Sequence, residues 1–174
     1  MTRLLAIDPG CTDSGYAVID TETLAPIEVG KIANHTLRAW IIRGDFCHVQ
    51  HVRIEMVASY GMAVGKEVFE TCVWIGKFDE MFRPFDEEAH RTPTVGLVYR
   101  RAVKLHHCGS AKAKDANITQ ALIDRFAPGE PNYGKGTKAA PGWFYGFKAD
   151  IWQAYALAVY AADLLGERPT GEAD

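Results

Sequence analysis

The chain has 174 residues, of which 48% are hydrophobic and 24% charged, and its formal net charge is −3. This composition is typical of one globular domain and excludes wholesale disorder, a collagen-like repeat and a disulfide-rich miniprotein. No apolar stretch reaches the roughly 20 residues that span a bilayer, and Asp8 interrupts the N-terminal apolar run too early for a signal peptide. The four cysteines are therefore expected to be reduced thiols of a cytoplasmic protein.

Charge is distributed unevenly along the chain. Residues 79–88 contain five acids and one arginine, whereas residues 100–114 contain five cations and no acid. Segments of opposite sign predict a polarised surface with one side suited to a polyanion, although two solvated faces would also explain them. The five cations are Arg100, Arg101, Lys104, Lys112 and Lys114.

The first third of the chain predicts mostly strands. Its opening apolar run is typical of a strand buried on both faces, and Pro9-Gly10 then turns the chain into a hairpin partner. A third strand, a short helix and a fourth strand follow, and the fourth strand again ends on an acid. These five elements are predicted over residues 3–8, 15–20, 27–32, 36–42 and 49–55.

The rest of the chain alternates predicted helices with a strand. Apolar residues at helical spacing predict a helix over 66–82, and residues 95–105 are interpreted as a strand or a strand with a turn. A helix over 116–126 is expected to be capped by Asp115. A loop over 129–146 and an alanine-rich helix over 149–165 complete a single α/β domain, 1–166, with a frayed tail over 167–174.

Three acids stand where these elements begin or end. Asp8 follows the first strand, Glu55 follows the fourth, and Asp150 begins the last helix. A carboxylate beside a buried strand is costly unless something compensates its charge, and Mg²⁺ binds such carboxylates together with several waters. Spacing alone does not show that the three acids converge, so helix caps and salt-bridge partners remain an open alternative.

Four segments resemble, in order, the motifs of the RuvC-type Holliday junction resolvases. The stretch from Leu5 to Ile19 resembles the first motif, and Arg53–Val57 resembles the second, in which an acid closes a central strand. Val103-Lys104 followed by Lys114 resembles the basic segment that holds the DNA backbone. Residues 149–158 resemble the alanine-rich C-terminal helix. The matches span residues 3–160. The residues after Glu55 and residues 113–117 look more like the bacteriophage branch than the bacterial enzyme.

The resemblance implies a ribonuclease-H-like mixed sheet flanked by helices, and a homodimer that cuts branched DNA with two Mg²⁺ or Mn²⁺ ions per active site. Asp8 would bridge both ions, while Glu55 and Asp150 would each hold one. The position of the family's fourth acid is taken by Gln153, whose amide oxygen can coordinate but carries no charge. We therefore expect the second metal to bind weakly.

The resemblance also suggests which residues contact DNA. Lys104 and Lys114 match the basic segment, and the other three cations of residues 100–114 are candidates for phosphate contacts. Tyr60 follows Glu55 in a small-residue loop and could stack on a base, although loop packing would also explain it. The histidines and cysteines lack the paired spacing of a zinc site.

Two alternatives remain open at this stage. Gln153 is consistent with a catalytically silent homologue that binds junctions without cutting them. The turn Asp8-Pro9-Gly10 with Gly15 resembles the phosphate loop of actin-like sugar kinases, which need about twice this length and a second such loop. Neither a membrane nor a small-molecule cofactor is expected.

Overall fold

The computed structural model describes residues 1–59, 61, 63–83 and 93–166. A five-stranded mixed sheet with strand order β3-β2-β1-β4-β5 forms its centre. The strands are β1 (Arg3–Pro9), β2 (Asp13–Asp20), β3 (Pro26–Ala33), β4 (His51–Met56) and β5 (Thr94–Tyr99). The helices are α1 (Asn34–Arg43), α2 (Lys66–Phe82), α3 (Arg100–Cys108), α4 (Asp115–Phe126) and α5 (Ile151–Gly166). Thus the predicted α/β class and mixed sheet are confirmed.

The sheet combines an antiparallel meander with a parallel half. β1 pairs antiparallel with β2, and β2 with β3, whereas β1 pairs parallel with β4, and β4 with β5. Parallel pairing needs a crossover, and α2 supplies it between β4 and β5. The carboxyl ends of β1, β4 and β5 therefore lie at one edge of the sheet.

Successive side chains of β1 point to opposite faces of the sheet, and each face packs against a separate hydrophobic core. Leu4 and Ala6 belong to the core formed with α5, whereas Leu5 and Ile7 belong to the core that includes residues of α1 and α2. α5 is buried over most of its length, and its alanines let it approach the sheet closely. Since Asp8 continues the series of Leu4 and Ala6, its side chain lies on the α5 face.

Two details of the predicted elements are wrong. The stretch 95–105 is not one strand, because β5 ends at Tyr99 and α3 begins at Arg100. Asp115 is the first residue of α4 rather than its cap; Lys114 precedes the helix, and its backbone N–H donates to Asn117 Oδ1 at 2.8 Å. Tyr60, the acids at 86–88 and the predicted tail 167–174 lie outside the described residues. Within the described part, no helix is long and apolar enough to cross a bilayer.

Candidate active site

The parallel pairing of β1 with β4 brings the first two predicted acids together. The paired residues Ile7 and Ile54 are the last of this ladder, and Asp8 and Glu55 follow them directly. Val52 and Ile54 belong to the core on the α2 side, so Glu55 points to the opposite face, where Asp8 also lies. Asp8 and Glu55 therefore face α5 at the carboxyl ends of two neighbouring strands.

Asp150 joins the site through the chain segment that leads into α5. Its backbone lies against Gly15, and a Cβ built on Gly15 would be 2.6 Å from the Asp150 carbonyl oxygen. Gly15 pairs with Asp8 on one side and with Lys31 on the other. Lys31 Nζ forms an ion pair with Asp150 Oδ2 at 2.6 Å. The absence of a side chain at Gly15 thus lets Asp150 lie between Asp8 and Lys31.

Arg100 connects three oxygen ligands from three different elements. Its Nη1 donates to Glu55 Oε2 at 2.8 Å, and its Nη2 donates to Asp115 Oδ1 at 2.6 Å and to Gln153 Oε1. The Arg100 and Glu55 side chains are only 20% and 12% exposed. Gln153 is buried and turned into the site, so the structure places all four predicted metal-site residues around one cluster.

Asp8 is the acid of this cluster that the protein compensates least. No side-chain hydrogen bond or ion pair joins it to another residue in the part of the chain that the structure describes. Burial raises the pKa of Asp8 well above its ordinary value, and the negative charges of Glu55 and Asp150 raise it further against the opposing charge of Arg100. Burial also raises the pKa of Glu55, although Arg100 opposes that shift. A cation beside Asp8 would offset the cost of burying its charge and the repulsion from the neighbouring carboxylates.

The residues present suit a hard divalent cation. Asp8, Glu55, Asp150 and Gln153 offer only oxygen donors, which Mg²⁺ and Mn²⁺ prefer. However, no group of three or more acidic, histidine or cysteine side chains is arranged as a finished ligand set among the described residues. Two of the carboxylates are turned towards protein cations instead of towards a common point, since Glu55 pairs with Arg100 and Asp150 pairs with Lys31. The donor chemistry fits a metal, and two of the acids are held by protein cations.

The predicted basic segment forms a surface next to this cluster. Because α3 begins at Arg100, Arg100 and Lys104 lie one helical turn apart on the same side. A pocket of about 400 Å³ is lined by Arg100, Arg101, Lys104, Ala111 and Lys112. Lys114 is exposed directly before α4. Four of the five cations therefore share one pocket, whereas the Arg100 guanidinium is engaged with the acids.

Sequence reasoning missed three functional features of this site. No sequence pattern points to Lys31, although its place on β3 opposite Gly15 follows from the register of the hairpin. The sequence predicts Asp115 as a helix cap and Arg100 as a candidate phosphate contact, whereas the structure pairs them with each other and Arg100 with Glu55. Only a prediction of α3 starting at Arg100 could have placed its side chain next to the end of β4. No local signal indicates the contact with Asp115, because it joins α3 to α4.

Comparison with known proteins gives structural relatives but no sequence relatives. No protein-family model and no curated protein matches the sequence. RuvC of Thermus thermophilus in complex with a Holliday junction substrate superposes with a TM-score of 0.64 at 15% identity, over 95% of both chains. A second RuvC structure from Thermus thermophilus gives 0.60 at 16% identity, over 95% of this chain and 97% of the other. The fold is that of RuvC.

The likeness extends over nearly the whole of both chains, so the predicted ribonuclease-H-like architecture is confirmed. At this level of identity it establishes the fold alone.

Proposed function

We propose that the protein is a divalent-metal-dependent endonuclease that hydrolyses phosphodiester bonds in Holliday junctions or other branched DNA. The observation that supports this function is the convergence of Asp8, Glu55 and Asp150 at one edge of a RuvC-like sheet. Asp8 lies among negative charges, an arrangement that a folded protein tolerates where a cation is to be bound.

The residues of the site have distinct roles in this proposal. Asp8 and Asp150 would hold the cation, with a Glu55 oxygen as a further ligand, and Mg²⁺ or Mn²⁺ would serve equally well as oxygen-seeking ions. When bound, the cation supplies the positive charge that polarises the phosphodiester and favours deprotonation of the attacking water. Lys31 keeps the Asp150 carboxylate fixed above Gly15. Arg100 orients Glu55.

The basic surface beside the site would bind the DNA backbone. Lys104, Lys112 and Arg101 line the pocket next to Arg100, and Lys114 is exposed at the start of α4. Contacts of this kind neutralise phosphates without reading sequence, so selectivity would come from the shape of the branched backbone. A base contact by Tyr60 stays a hypothesis, because Tyr60 lies outside the described residues.

We also propose a homodimer, in which two active sites would cut two strands of a symmetric junction. α2 presents an apolar stripe to solvent, with Phe69 61% exposed and Val73 54% exposed. Gly76, one turn further, has no atom within 4 Å of a Cβ built there. Because Gly76 has no side chain, a second copy of α2 could approach this stripe closely. The stripe therefore suits a symmetric (isologous) contact between the α2 helices of two copies.

A second candidate function is junction binding without cleavage. Gln153 removes one negative charge from the site, and the Arg100 guanidinium neutralises another on Glu55. The sugar-kinase alternative receives less support, because the backbone of Asp150 covers Gly15, the residue that would have to approach a phosphate.

The deciding experiment is a cleavage assay on a synthetic four-way junction with Mg²⁺ or Mn²⁺, run beside gel-shift binding, with Asp8→Asn as the matched control. Metal-dependent cutting that disappears in Asp8→Asn supports the endonuclease. Tight binding of the junction without cutting at any metal concentration supports the silent homologue. Absence of both binding and cutting would overturn the proposed function.

Because DNA is the proposed substrate, the proposed location of the protein is the cytoplasm. If a bacteriophage encodes the chain, this is the cytoplasm of a bacterial host. The proposal of a phage origin rests on the sequence of residues 113–117 and of the segment after Glu55.

A further inference from the structure

Arg100 and Gln153 are the two residues that distinguish this site from a metal site made only of carboxylates. Gln153 is neutral, and its amide oxygen accepts a hydrogen bond from the Arg100 guanidinium. The same guanidinium also binds Glu55 and Asp115, so it is surrounded by three oxygen ligands from β4, α4 and α5. Three oxygen ligands around one positive charge also describe part of the coordination shell of a metal ion.

We infer that the Arg100 guanidinium takes the place of a second metal ion, so that each active site binds one divalent cation, at Asp8. This inference deepens the proposed function and rests on its metal dependence. A second cation at Glu55 and Gln153 would have to displace Arg100 from all three partners or lie within a few ångströms of its charge.

The charges of the cluster agree with a single cation. Asp8, Glu55, Asp115 and Asp150 carry four negative charges, and Lys31 and Arg100 supply two positive charges. The remaining two negative charges are neutralised by one divalent ion, whereas two such ions would leave the site with an excess of positive charge.

Arg100 is also a permanent charge. An arginine guanidinium stays charged at the pH values at which proteins are folded, and this one forms ion pairs with Glu55 and Asp115. Unlike a metal ion, this cation cannot dissociate from the protein. Its planar guanidinium suits three acceptors at once better than the point charge of a lysine would.

The test is a count of Mn²⁺ ions bound per chain, by calorimetry and by electron paramagnetic resonance, without DNA. The wild-type chain should bind one ion. The double variant Arg100→Ala with Gln153→Asp, which removes the guanidinium and provides an acid, should bind two. Arg101→Ala, with the same loss of charge on the exposed side of α3, should still bind one. Circular dichroism checks that each variant is folded.

Two ions on the wild-type chain, or one on the double variant, would overturn the inference while leaving metal dependence intact. No ion on the wild-type chain would overturn the metal-dependent function itself. The single variant Gln153→Asp gives a further check: the new carboxylate should pair with Arg100, and the count should stay at one.

Residues 127–149, between α4 and Asp150, have no role in the proposed function. They contain three lysines and one acid, Glu130, together with two exposed tyrosines, Tyr133 at 61% and Tyr145 at 44%. Tyr133 also lines a groove of about 530 Å³, together with Asp115, Asp150 and Gln153. The groove thus connects the acid cluster with an exposed aromatic ring.

The segment holds Tyr133 in a defined place. Gly134, its neighbour, is buried against Ala127 and Phe144, with a Cβ built on it only 2.3 Å from Ala127 Cβ. Its carbonyl accepts from Phe144 N–H at 3.1 Å, and Lys135 O accepts from Gly142 N–H at 3.0 Å. Tyr133 itself has a φ of 58°, a left-handed conformation that is unfavourable for a tyrosine and persists only where the surroundings impose it.

We propose that this groove accommodates the nucleotide next to the cleaved phosphate, with its base stacked on the Tyr133 ring. The volume lies in the roughly 300–1,000 Å³ range of sites for small organic groups. Stacking on an aromatic ring tolerates any base, which agrees with an enzyme that recognises backbone shape. This proposal also rests on the proposed function.

The probe is a four-way junction carrying 2-aminopurine next to the branch point, mixed with the Asp8→Asn protein. Stacking on Tyr133 should change the fluorescence of the probe. The change should vanish in Asp8→Asn with Tyr133→Ala, and persist with Tyr133→Phe or with Tyr145→Ala, the other exposed tyrosine. A change unaffected by Tyr133→Ala would overturn the stacking role. No binding of the junction by any of these proteins would overturn the proposed function instead.

Discussion

The backbone of Asp150 lies directly against Gly15, with the Asp150 carbonyl oxygen 2.6 Å from where a Cβ of residue 15 would be. This contact fixes where α5 begins relative to β2, and it places the Asp150 side chain within reach of Lys31. The position of one acid of the site therefore depends on a glycine that is 135 residues away in sequence and carries no functional group.

Gly15→Ala is expected to lower the rate of junction cleavage by roughly 100-fold, because displacing a catalytic group by about 1 Å costs that much. Binding of the junction should change little, since the basic surface lies on α3 and on the turn between α3 and α4. The matched control is Gly166→Ala at the end of α5, where a Cβ meets no atom within 4 Å. That variant should cleave normally, and a Gly15→Ala protein that also cleaves normally would show that the contact is unimportant.

Asp8→Asn is expected to abolish cleavage. Without metal, it should also raise the free energy of unfolding at pH 7 by about 1 kcal/mol, because a charge that serves function often destabilises the fold. The physical reason is the raised pKa of Asp8, caused first by burial and then by Glu55. Urea unfolding in the presence of a chelator measures the difference. A less stable Asp8→Asn protein would contradict the electrostatic explanation.

The pH dependence of this difference follows from the direction of the pKa shift. A carboxyl group whose pKa is raised by folding destabilises the protein when ionised, and this cost disappears as the pH falls through the folded-state pKa towards the unfolded value of ~3.9. The stability advantage of Asp8→Asn should therefore shrink on acidification. Added Mg²⁺ at 100 times its Kd should stabilise the wild type by about 2.7 kcal/mol and leave Asp8→Asn nearly unchanged.

Replacing Lys104 and Lys114 together by alanine is expected to weaken binding to all DNA forms. The slope of log affinity against log salt concentration should decrease in magnitude by about two, one for each phosphate that a lysine no longer neutralises. Lys66→Ala with Lys77→Ala, which removes the same charge from α2 on the opposite face of the sheet, serves as the control. Equal slopes for the wild type and the Lys104 and Lys114 variant would remove this surface from the DNA interface.

Phe69→Glu is expected to convert the proposed dimer into a monomer, because it places a charge within the exposed apolar stripe on α2. Sedimentation velocity at several protein concentrations measures the change. Leu105→Glu, at an exposed leucine of α3, should leave the oligomeric state unchanged. A wild-type protein that is monomeric at all concentrations, or a Phe69→Glu protein that still dimerises, would contradict this interface.

The sequence by itself indicated most of the elements and the three candidate acids. The apolar run before Asp8, the alternation before Glu55 and the alanine-rich helix after Asp150 are local patterns, and local patterns report which faces of an element are buried. The sequence does not mark the boundary between β5 and α3, because Tyr99, the residue before the helix, has no capping side chain.

Only the tertiary structure decided what surrounds each acid. Glu55 pairs with Arg100, Asp150 pairs with Lys31, and Asp8 has neither partner. This arrangement depends on the register of the sheet and on where α3, α4 and α5 pack against it. These are contacts between residues 45 and more positions apart in sequence, and they depend on the relative placement of whole elements. The residue types at the site could be read along the chain, whereas its charge balance, and hence the number of metal ions we infer, exists only in the folded protein.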